Sequence, residues 1–590
     1  MLEPFRHILN REAGTLNRLI KVATSGLIVI GLAGCGTPSS NAAPRIVPHF
    51  GGTAVYALPV QTSPNWFFPL VSLNADTVVN FETDLMMYKP LVYFNQQGHF
   101  EPQHSLASSV TWNASDTVYT IHLNPKWHWS NGHRVTAQDV VFTWDIMQAG
   151  SMPNNPYSWA FSGEGSGGIP ATWKSVVAPN SHTVVITTTV PRNPEWFIRN
   201  GLMEIIPVPR SIWDRYPKNM AKEMSFINSV ANLPTNSVYQ VVDGPYRLAS
   251  YQPGNYWTFV PNPHYDGHKS YLSRVVFKYE TSSAAEFAAL RTGAINVGYL
   301  GVGLLGARSE IPHDKITALY RPGFDYVALN LNPAAPHEIG KAFSELPVRQ
   351  ALQMGVDQTG MIAHIFHGYG VIDDTSLAPL PKTFLFNPAL TRPLYPFNPA
   401  RGKQLLLKNG WREVHGVMTK QGMALNFTLD YAAGTQSAAD MVQLMKSNWA
   451  QEGIEVHLVP QTFDTVVSYG PSNASKWAMV DWSDGAAWTY GNDPYPTGGS
   501  LFATDAGENG GDYSNHEMNL LIQATYEPGT PMQTLHRLYR YEMYVAQQLP
   551  GVIFLPMEPK FIVHADTIHG VSTELGTFGN IHPNYWWVSP

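Results

Sequence analysis

Aromatic and acidic side chains are mixed most densely between Trp477 and Leu501. The segment contains Asp481, Trp482, Asp484, Trp488, Tyr490, Asp493 and Tyr495. Carboxylates accept strong hydrogen bonds from charged donors, and aromatic rings stack on the faces of sugars. The residues also have a structural interpretation, in which Asp493 and Pro494 begin a turn and the tryptophans pack in a core. The segment is a candidate ligand site whose chemistry the pattern leaves open.

Histidine is plentiful, with 21 residues, so metal binding has to be considered. His364 and His367 lie three positions apart near the end of a predicted helix, and His122, His128 and His133 follow a predicted strand and turn. A zinc site needs three or four ligands in a closed geometry. Neither histidine group comes with clear third and fourth ligands, so we predict no metal site.

Common catalytic patterns are absent from the sequence. It contains no Gly-x-Ser-x-Gly nucleophile elbow, no His-Glu-x-x-His helix and no Walker A loop. A glycosidase needs only two well-placed carboxylates, so a secreted hydrolase stays open as a remote alternative. We expect a protein that is not an enzyme and has no cofactor.

The single cysteine, Cys35, follows a basic leader, an apolar run over 22–32 and a stretch of small residues. This arrangement resembles a bacterial lipoprotein signal peptide, which implies that the Cys35 sulfur is acylated and that the mature chain starts there. A transmembrane helix needs roughly 20 apolar residues, more than this run provides. We predict a signal peptide over 1–34, a lipidated tether over 35–50, and an extracytoplasmic protein anchored to the cell membrane.

Composition indicates a large folded chain. Charged residues make up 14% of the 590 residues, while hydrophobic residues reach 44% and aromatic residues 12%, against roughly 25% charged residues in an average globular protein. The net charge is −7 and no Lys/Arg block occurs, so nucleic acid is not an expected partner. The many histidines and few carboxylates suggest, as a hypothesis, adaptation to an acidic medium.

Strand and helix signals alternate along the chain, which indicates a mixed α/β fold. Thr136 and Asp139 have the spacing of an N-cap and its capping-box partner, and predict a helix over 136–147. Pro347 suits the first turn of another helix, and Asp357 offers a further N-cap.

The order of the local motifs resembles that of the bacterial extracellular solute-binding proteins, family 5, which include the dipeptide- and oligopeptide-binding components of ABC importers. The run from Tyr119 to Gly132, which contains Trp127 and Trp129, and the run from Val135 to Phe142, which contains Asp139, resemble the family's signature. The others follow in the family's order: Asp243-Gly244-Pro245-Tyr246, Asn262-Pro263-His264-Tyr265, Ala289-Leu290-Arg291-Thr292-Gly293, Val348-Arg349-Gln350-Ala351-Leu352 and Asp512-Tyr513-Ser514-Asn515. Together they span essentially the whole mature chain.

The resemblance implies a two-lobed, periplasmic-binding-protein-like α/β fold of the large peptide-binding class. The first lobe would be discontinuous, over 51–307 and 557–590, with the second lobe over 308–556. The solute would bind in the cleft between the lobes, and the closed form would deliver it to ABC permease subunits. We expect a monomer that binds small peptides.

The resemblance also implies a ligand contact in the aromatic segment. In peptide-binding relatives an aspartate shortly after a tryptophan binds the α-ammonium group of the peptide. Here Asp484 follows Trp482 by two positions, with Trp488, Tyr490 and Asp493 as further candidate contacts and Asp481 as an alternative acid. An oligosaccharide or a metal complex stays open as the ligand, because some relatives carry these.

Overall fold

Strands and helices alternate along the chain, as the sequence predicts. The computed structural model describes residues 47–95, 99–152, 158–482, 488–490, 494–571 and 580–589. The strands are β1 (Thr53–Ala57), β2 (Ala107–Trp112), β3 (Val118–Leu123), β4 (Trp173–Asn180), β5 (Thr183–Thr188), β6 (Tyr246–Gln252), β7 (Tyr256–Pro261), β8 (Arg274–Lys278), β9 (Val297–Tyr299), β10 (Asp314–Leu319), β11 (Gly323–Leu329), β12 (Arg412–Val414), β13 (Val417–Lys420), β14 (Met423–Ala424), β15 (Asn426–Ala432), β16 (Glu455–Gln461), β17 (Met479–Asp481), β18 (Trp488–Thr489), β19 (Val552–Leu555), β20 (Lys560–Ala565), β21 (Ile568–His569) and β22 (Trp587–Val588). The α-helices of four or more residues are Val78–Met87, Ala137–Gly150, Arg210–Trp213, Met220–Val230, Ser283–Thr292, Ile339–Phe343, Leu346–Met354, Pro399–Lys408, Gln436–Gln451, Phe463–Val467, Gly499–Phe502, His516–Thr525 and Pro531–Gln548.

Helix starts are fixed by the side chains that the sequence marks. Thr136 and Asp139 form a capping box at the start of the helix Ala137–Gly150, where the Thr136 amide donates to Asp139 Oδ2 at 2.8 Å. This confirms the predicted start, and the helix continues three residues beyond its predicted end. Pro347 lies in the first turn of the helix Leu346–Met354, as expected for a residue without an amide hydrogen.

Two large sheets organise the chain. The first has seven strands in the order β10-β20-β9-β1-β8-β7-β6. The second has six strands, in which β16, β15, β17, β11 and β18 follow one another and β19 also pairs with β11. Smaller sheets have the orders β2-β3-β5-β4 and β12-β13-β14. We call the part with the seven- and four-stranded sheets the first lobe, and the part with the six- and three-stranded sheets the second lobe.

The chain passes between the two large sheets twice. It leaves the first sheet after β10, enters the second at β11, and returns between β19 and β20. Each connection is short, from Leu319 to Gly323 and from Leu555 to Lys560. The mixed α/β, two-lobed fold class is confirmed, while the exact lobe boundaries over 51–307, 308–556 and 557–590 stay a prediction.

The apolar residues form three cores. The first core lies in the first lobe, where Trp129, Trp213 and Trp257 are almost fully buried. The third core lies in the second lobe around Phe324 and Phe554, and the second core combines residues of both lobes next to the two connections. Most of the tryptophans are therefore structural. Over the described part of the chain, no helix has the length and apolar character that a membrane crossing requires.

Candidate binding site between the lobes

The aromatic segment singled out in the sequence lies along β11. Strand β17 places Asp481 opposite Val327, and β18 places Trp488 opposite Phe324, both in antiparallel pairing. These pairings hold the first part and the middle of the segment on the six-stranded sheet. The two candidate acids Asp484 and Asp493, and the lipidation candidate Cys35, lie outside the described residues.

The predicted aromatic contacts have different environments. Tyr490 is 1% exposed and belongs to the third core, where its hydroxyl donates to the Ser376 carbonyl oxygen and burial raises the pKa of Tyr490. Trp482 and Trp488 are only half-buried and pack at the edge of the same core. Tyr490 therefore supports the fold, whereas the two tryptophans retain surface that a ligand can contact.

Near Trp482 lies a group of acidic side chains that no sequence pattern predicts. Its ring lies 6.1 Å from that of Tyr326 on β11. Burial raises the pKa of Tyr326, and the nearby carboxylates Glu508, Asp325 and Asp76 raise it further. Asp76 comes from the first lobe, so carboxyl groups of both lobes meet beside this aromatic pair.

Asp76 and Glu508 are joined by a hydrogen bond between their side chains. Burial raises the pKa of Asp76, while the hydrogen bonds from Glu508 and Ser162 oppose that effect. The Ser162 hydroxyl also donates to Glu508 Oε1 at 3.1 Å, and the Gly163 amide reaches the same oxygen at 3.4 Å. Two neighbouring carboxyl groups cannot both ionise without repulsion, so the closeness of this pair favours a proton shared between the lobes.

A third carboxyl group lies at the contact between the lobes. Asp464 is on the second-lobe helix Phe463–Val467, which packs beside the first-lobe turn Leu73–Ala75. Burial raises the pKa of Asp464 to about 6. Its carboxyl also raises the pKa of the first-lobe residue Tyr279, after the larger effect of burial. The acidic character therefore extends beyond the Asp76 and Glu508 pair.

Sequence reasoning found the aromatic part of this region and missed the carboxyl pair. Asp76 lies between the short turn Leu73–Ala75 and the N-cap Thr77, and Glu508 lies in an irregular loop, so no local pattern gives either carboxyl a role. They come together only because the two lobes meet, which no local spacing encodes. The two carboxyl groups can be found only in the folded structure, by searching for buried acidic side chains that have no basic side chain beside them.

The predicted histidine groups do not gather other ligands. His364 and His367 are both exposed, at the end of the turn Met361–Ile365 and just after it. Within the ranges of the chain that the structure describes, no three His, Cys, Asp or Glu side chains are arranged to hold a metal ion.

Two α/β lobes, two connections between their sheets, and polar and aromatic side chains facing each other from both lobes define the class of two-lobed solute-binding proteins. The model of the bacterial extracellular solute-binding proteins, family 5, matches residues 101–508, which is more than half of the chain. The chain belongs to this family, as its motifs predict.

Known relatives agree with the assignment. The chain is 24% identical over 473 residues to the oligopeptide-binding protein AppA of Bacillus subtilis, covering 79% of this chain and 80% of that protein. The structure of AppA with a nonapeptide superposes with a TM-score of 0.78 at 19% identity, over 92% of this chain and all of that one. NikZ of Campylobacter jejuni with Ni(L-His) has a TM-score of 0.72 at 20% identity, over 91% of this chain and 99% of that one. OppA of Haemophilus influenzae with the peptide RPPGFSPFR has a TM-score of 0.71 at 16% identity, over 92% of this chain and 100% of that one.

Proposed function

We propose that the protein is an extracytoplasmic lipoprotein that captures peptides between its lobes and delivers them to an ABC import permease. The observation that carries the peptide assignment is the meeting of Asp76 and Glu508 from opposite lobes beside Trp482 and Tyr326. Carboxyl groups in this position favour a ligand with an ammonium group, and every unblocked peptide has one at its N-terminus. The relatives named for oligopeptides and crystallised with peptides support the same ligand class.

The lobes in this proposal are discontinuous in sequence. The first lobe takes residues from 51 onward and again from 557 to the end, and the second lobe lies between them. Pairing of β10 with β20 supports a first connection slightly after residue 307, between Leu319 and Gly323. Acylation at Cys35 and the tether over 35–50 would hold the protein at the membrane, and the molecule would act as a monomer without turnover of its ligand.

Asp484 remains the proposed direct ligand of the peptide ammonium, with Asp493 as the alternative. The Asp76 and Glu508 pair would supply the surrounding negative field and accept the same charge when the pair loses its proton. Trp482 and Trp488 would cover the apolar part of the ligand, which agrees with their half-buried positions.

Native mass spectrometry of the gently purified full chain tests the ligand class first. A ladder of co-purified peptide masses that appears on denaturation is the expected result. A single sugar-like mass, or a preparation that takes up only a nickel complex, contradicts the peptide assignment and leaves the family membership intact.

Calorimetric titration with RPPGFSPFR and with its N-acetylated form tests the role of the acids. Because a charge-assisted hydrogen bond contributes about 1.5–3 kcal/mol, the free peptide should bind roughly tenfold to a hundredfold more tightly than the acetylated one. Glu508→Gln and Asp484→Ala should reduce this preference, while Glu517→Gln, at an exposed carboxyl of the second lobe, serves as the matched control. Equal affinity for both peptides in the unmodified protein argues against ammonium recognition.

A further inference from the structure

A second group of contacts joins the lobes through Asn193 and Asn200 of the first lobe. The Asn193 amide donates to the Tyr526 carbonyl oxygen at 2.7 Å, and Asn193 Nδ2 donates to the Thr525 carbonyl oxygen at 3.2 Å. Asn193 Oδ1 accepts from the Glu195 amide at 3.2 Å, which fixes the side chain at the start of a helical turn. One first-lobe residue therefore makes two bonds to the end of a second-lobe helix.

Asn200 makes a paired contact of the same kind. Its Nδ2 donates to the Tyr495 carbonyl oxygen at 2.8 Å, and its Oδ1 accepts from the Tyr495 amide at 3.0 Å. Asn200 has no exposed surface. The side-chain amide thus satisfies both backbone groups of a second-lobe residue, as a neighbouring strand would.

Two aromatic rings complete the contact. Trp196 and Tyr526 stack with ring centroids 3.8 Å apart and an interplanar angle of 15°. A side-chain carbon on Gly499 would lie 1.7 Å from the Tyr526 hydroxyl oxygen, so the absence of a side chain there leaves room for the tyrosine. We call Asn193, Trp196 and Asn200 with their partners Tyr495 and Tyr526 the interlobe clasp.

The clasp joins parts that belong to different cores. Phe197, next to Trp196, is in the first core, whereas Tyr526 packs against the third core. The four hydrogen bonds that Asn193 and Asn200 make across the lobes all use backbone groups of the second lobe, and water can satisfy each of these groups when the lobes separate. The clasp therefore stabilises the closed arrangement and costs the open one little.

We propose that the interlobe clasp keeps the lobes closed in the absence of ligand and controls the rate of solute capture more than its affinity. This inference rests on the proposed function, in which solute enters an open cleft and closure retains it. The clasp is present in the empty closed form and in the closed form with solute, so its contribution cancels from the equilibrium between them. Solute can enter only through the minor open population, and the clasp lowers that population.

Pulsed electron paramagnetic resonance on the ligand-free full chain tests the conformational part. Cys35→Ser removes the native thiol, and spin labels at Lys174→Cys and Glu517→Cys report the distance between exposed sites on the two lobes. We expect one short distance in the parent and an added longer distance in Tyr526→Ala and, independently, in Asn200→Ala. Tyr526→Phe keeps the ring stack and should keep the short distance.

Tyr544→Ala is the matched control, because Tyr544 packs against the third core and bonds within the second lobe, to Asn515 Oδ1 at 3.2 Å. It should lower the melting temperature without adding the longer distance. A ligand-free parent that is already open, or clasp variants with unchanged distances, overturns the proposal. Because Tyr526→Ala and Asn200→Ala are measured independently, the test still gives a result if one of the two variants fails to fold.

Stopped-flow kinetics with the peptide RPPGFSPFR tests the functional part. Loss of one ring stack should raise the association and dissociation rate constants together by about tenfold and leave the dissociation constant within about twofold. A weaker dissociation constant with an unchanged association rate contradicts the proposal. Failure of the parent to bind any peptide refutes the proposed ligand, while the ligand-free distances still decide whether the clasp holds the lobes closed.

Discussion

Glu452 is a buried carboxyl group without a charged partner, at the end of the helix Gln436–Gln451. Side-chain atoms on Gly355 and Gly402 would collide with it, and neither carboxyl oxygen has a hydrogen-bond partner among the described residues. Burial raises the pKa of Glu452 to about 9, so the folded protein keeps this group protonated at neutral pH.

Glu452→Gln should therefore change the pH dependence of stability. The folded pKa lies above the unfolded value of about 4.3, so the parent's stability from this group is complete below pH 4 and is lost as the pH rises towards 9. The advantage of the variant over the parent should grow by about 4 kcal/mol between pH 5 and pH 8, which is three pH units at about 1.4 kcal/mol each. Urea unfolding at pH 5 and pH 8 measures the difference in unfolding free energy between variant and parent, with Glu455→Gln, at an exposed carboxyl, as the control. A difference that does not grow with pH contradicts the prediction.

At the residue scale, the sequence predicts site residues that lie together in one segment. It does not predict site residues that come together only when distant segments fold against each other. Trp482 and Trp488 stand out because aromatic and acidic residues crowd together in one segment. Asp76 and Glu508 are more than 400 positions apart, and their pairing depends on the contact between lobes. The burial of Tyr490 likewise depends on β11 and on Ser376, which its own segment does not reveal.

At the scale of the elements, the two connections between the sheets stand out because each has a basic side chain in it or directly after it. Arg321 lies in the first connection, and Lys560 begins β20 just after the second. Burial and, after it, the charge of Arg321 lower the pKa of Lys560 to about 7, although Glu82 and Glu286 oppose both effects. Glu82 is 2% exposed and accepts a hydrogen bond from Tyr56 at 3.2 Å, so one first-lobe carboxyl compensates charge on both connections.

Glu82→Gln should destabilise the protein by about 3 kcal/mol, because removing one member of a buried charged group leaves the other members uncompensated. The loss should be larger at pH 6 than at pH 9, since Lys560 has given up its proton at the higher pH. Thermal unfolding at the two pH values measures the difference. Glu310→Gln, in an exposed pair with Arg291, should change stability by under about 0.5 kcal/mol, and an equal effect of the two substitutions would falsify the assignment.

The start of a helix was predictable where a side chain bonds to the backbone within the first turn. The Thr136 and Asp139 capping box is an example, as is Asp357, whose Oδ1 accepts from the Gly360 amide at 2.9 Å. The order of strands in the sheets was not predictable from patterns. Strand β20 pairs with β10 and β9 from far along the chain, and only the family resemblance carries that topology.

At the scale of the whole molecule, buried carboxyl groups outnumber buried cations among the residues that the structure describes. Asp84 and Glu542 have no exposed surface, and burial raises the pKa of both well above the ordinary range. Burial likewise raises the pKa of Asp373, and it raises that of Glu286 to about 8. These groups belong to both lobes, so burial favours the protonated form of the carboxyl group in each lobe, which is in line with the hypothesis of an acidic medium.

The unfolding free energy should fall as the pH rises from 5 to 7. In this range the unfolded chain has released its carboxyl protons, with pKa values near 4, while the folded protein retains those of the buried groups. Two histidines oppose the trend, because burial lowers the pKa of both His582 and His569, and the unfolded chain binds a proton at each below about pH 6.5. Lys89 and Lys560, with pKa values lowered to about 7 by burial, begin to oppose it as the pH approaches 7.

Several carboxyl groups act against two histidines, so at least one net proton should be released on unfolding near pH 6, which corresponds to a loss of about 1.4 kcal/mol per pH unit. Urea unfolding of the full chain at pH 5, 6 and 7 in constant salt measures this slope. An unfolding free energy that rises over the same range, or a protein that unfolds below pH 5, contradicts the hypothesis of adaptation to an acidic medium. The slope should also become shallower in Glu452→Gln, because that substitution removes one of the protons that the folded state retains.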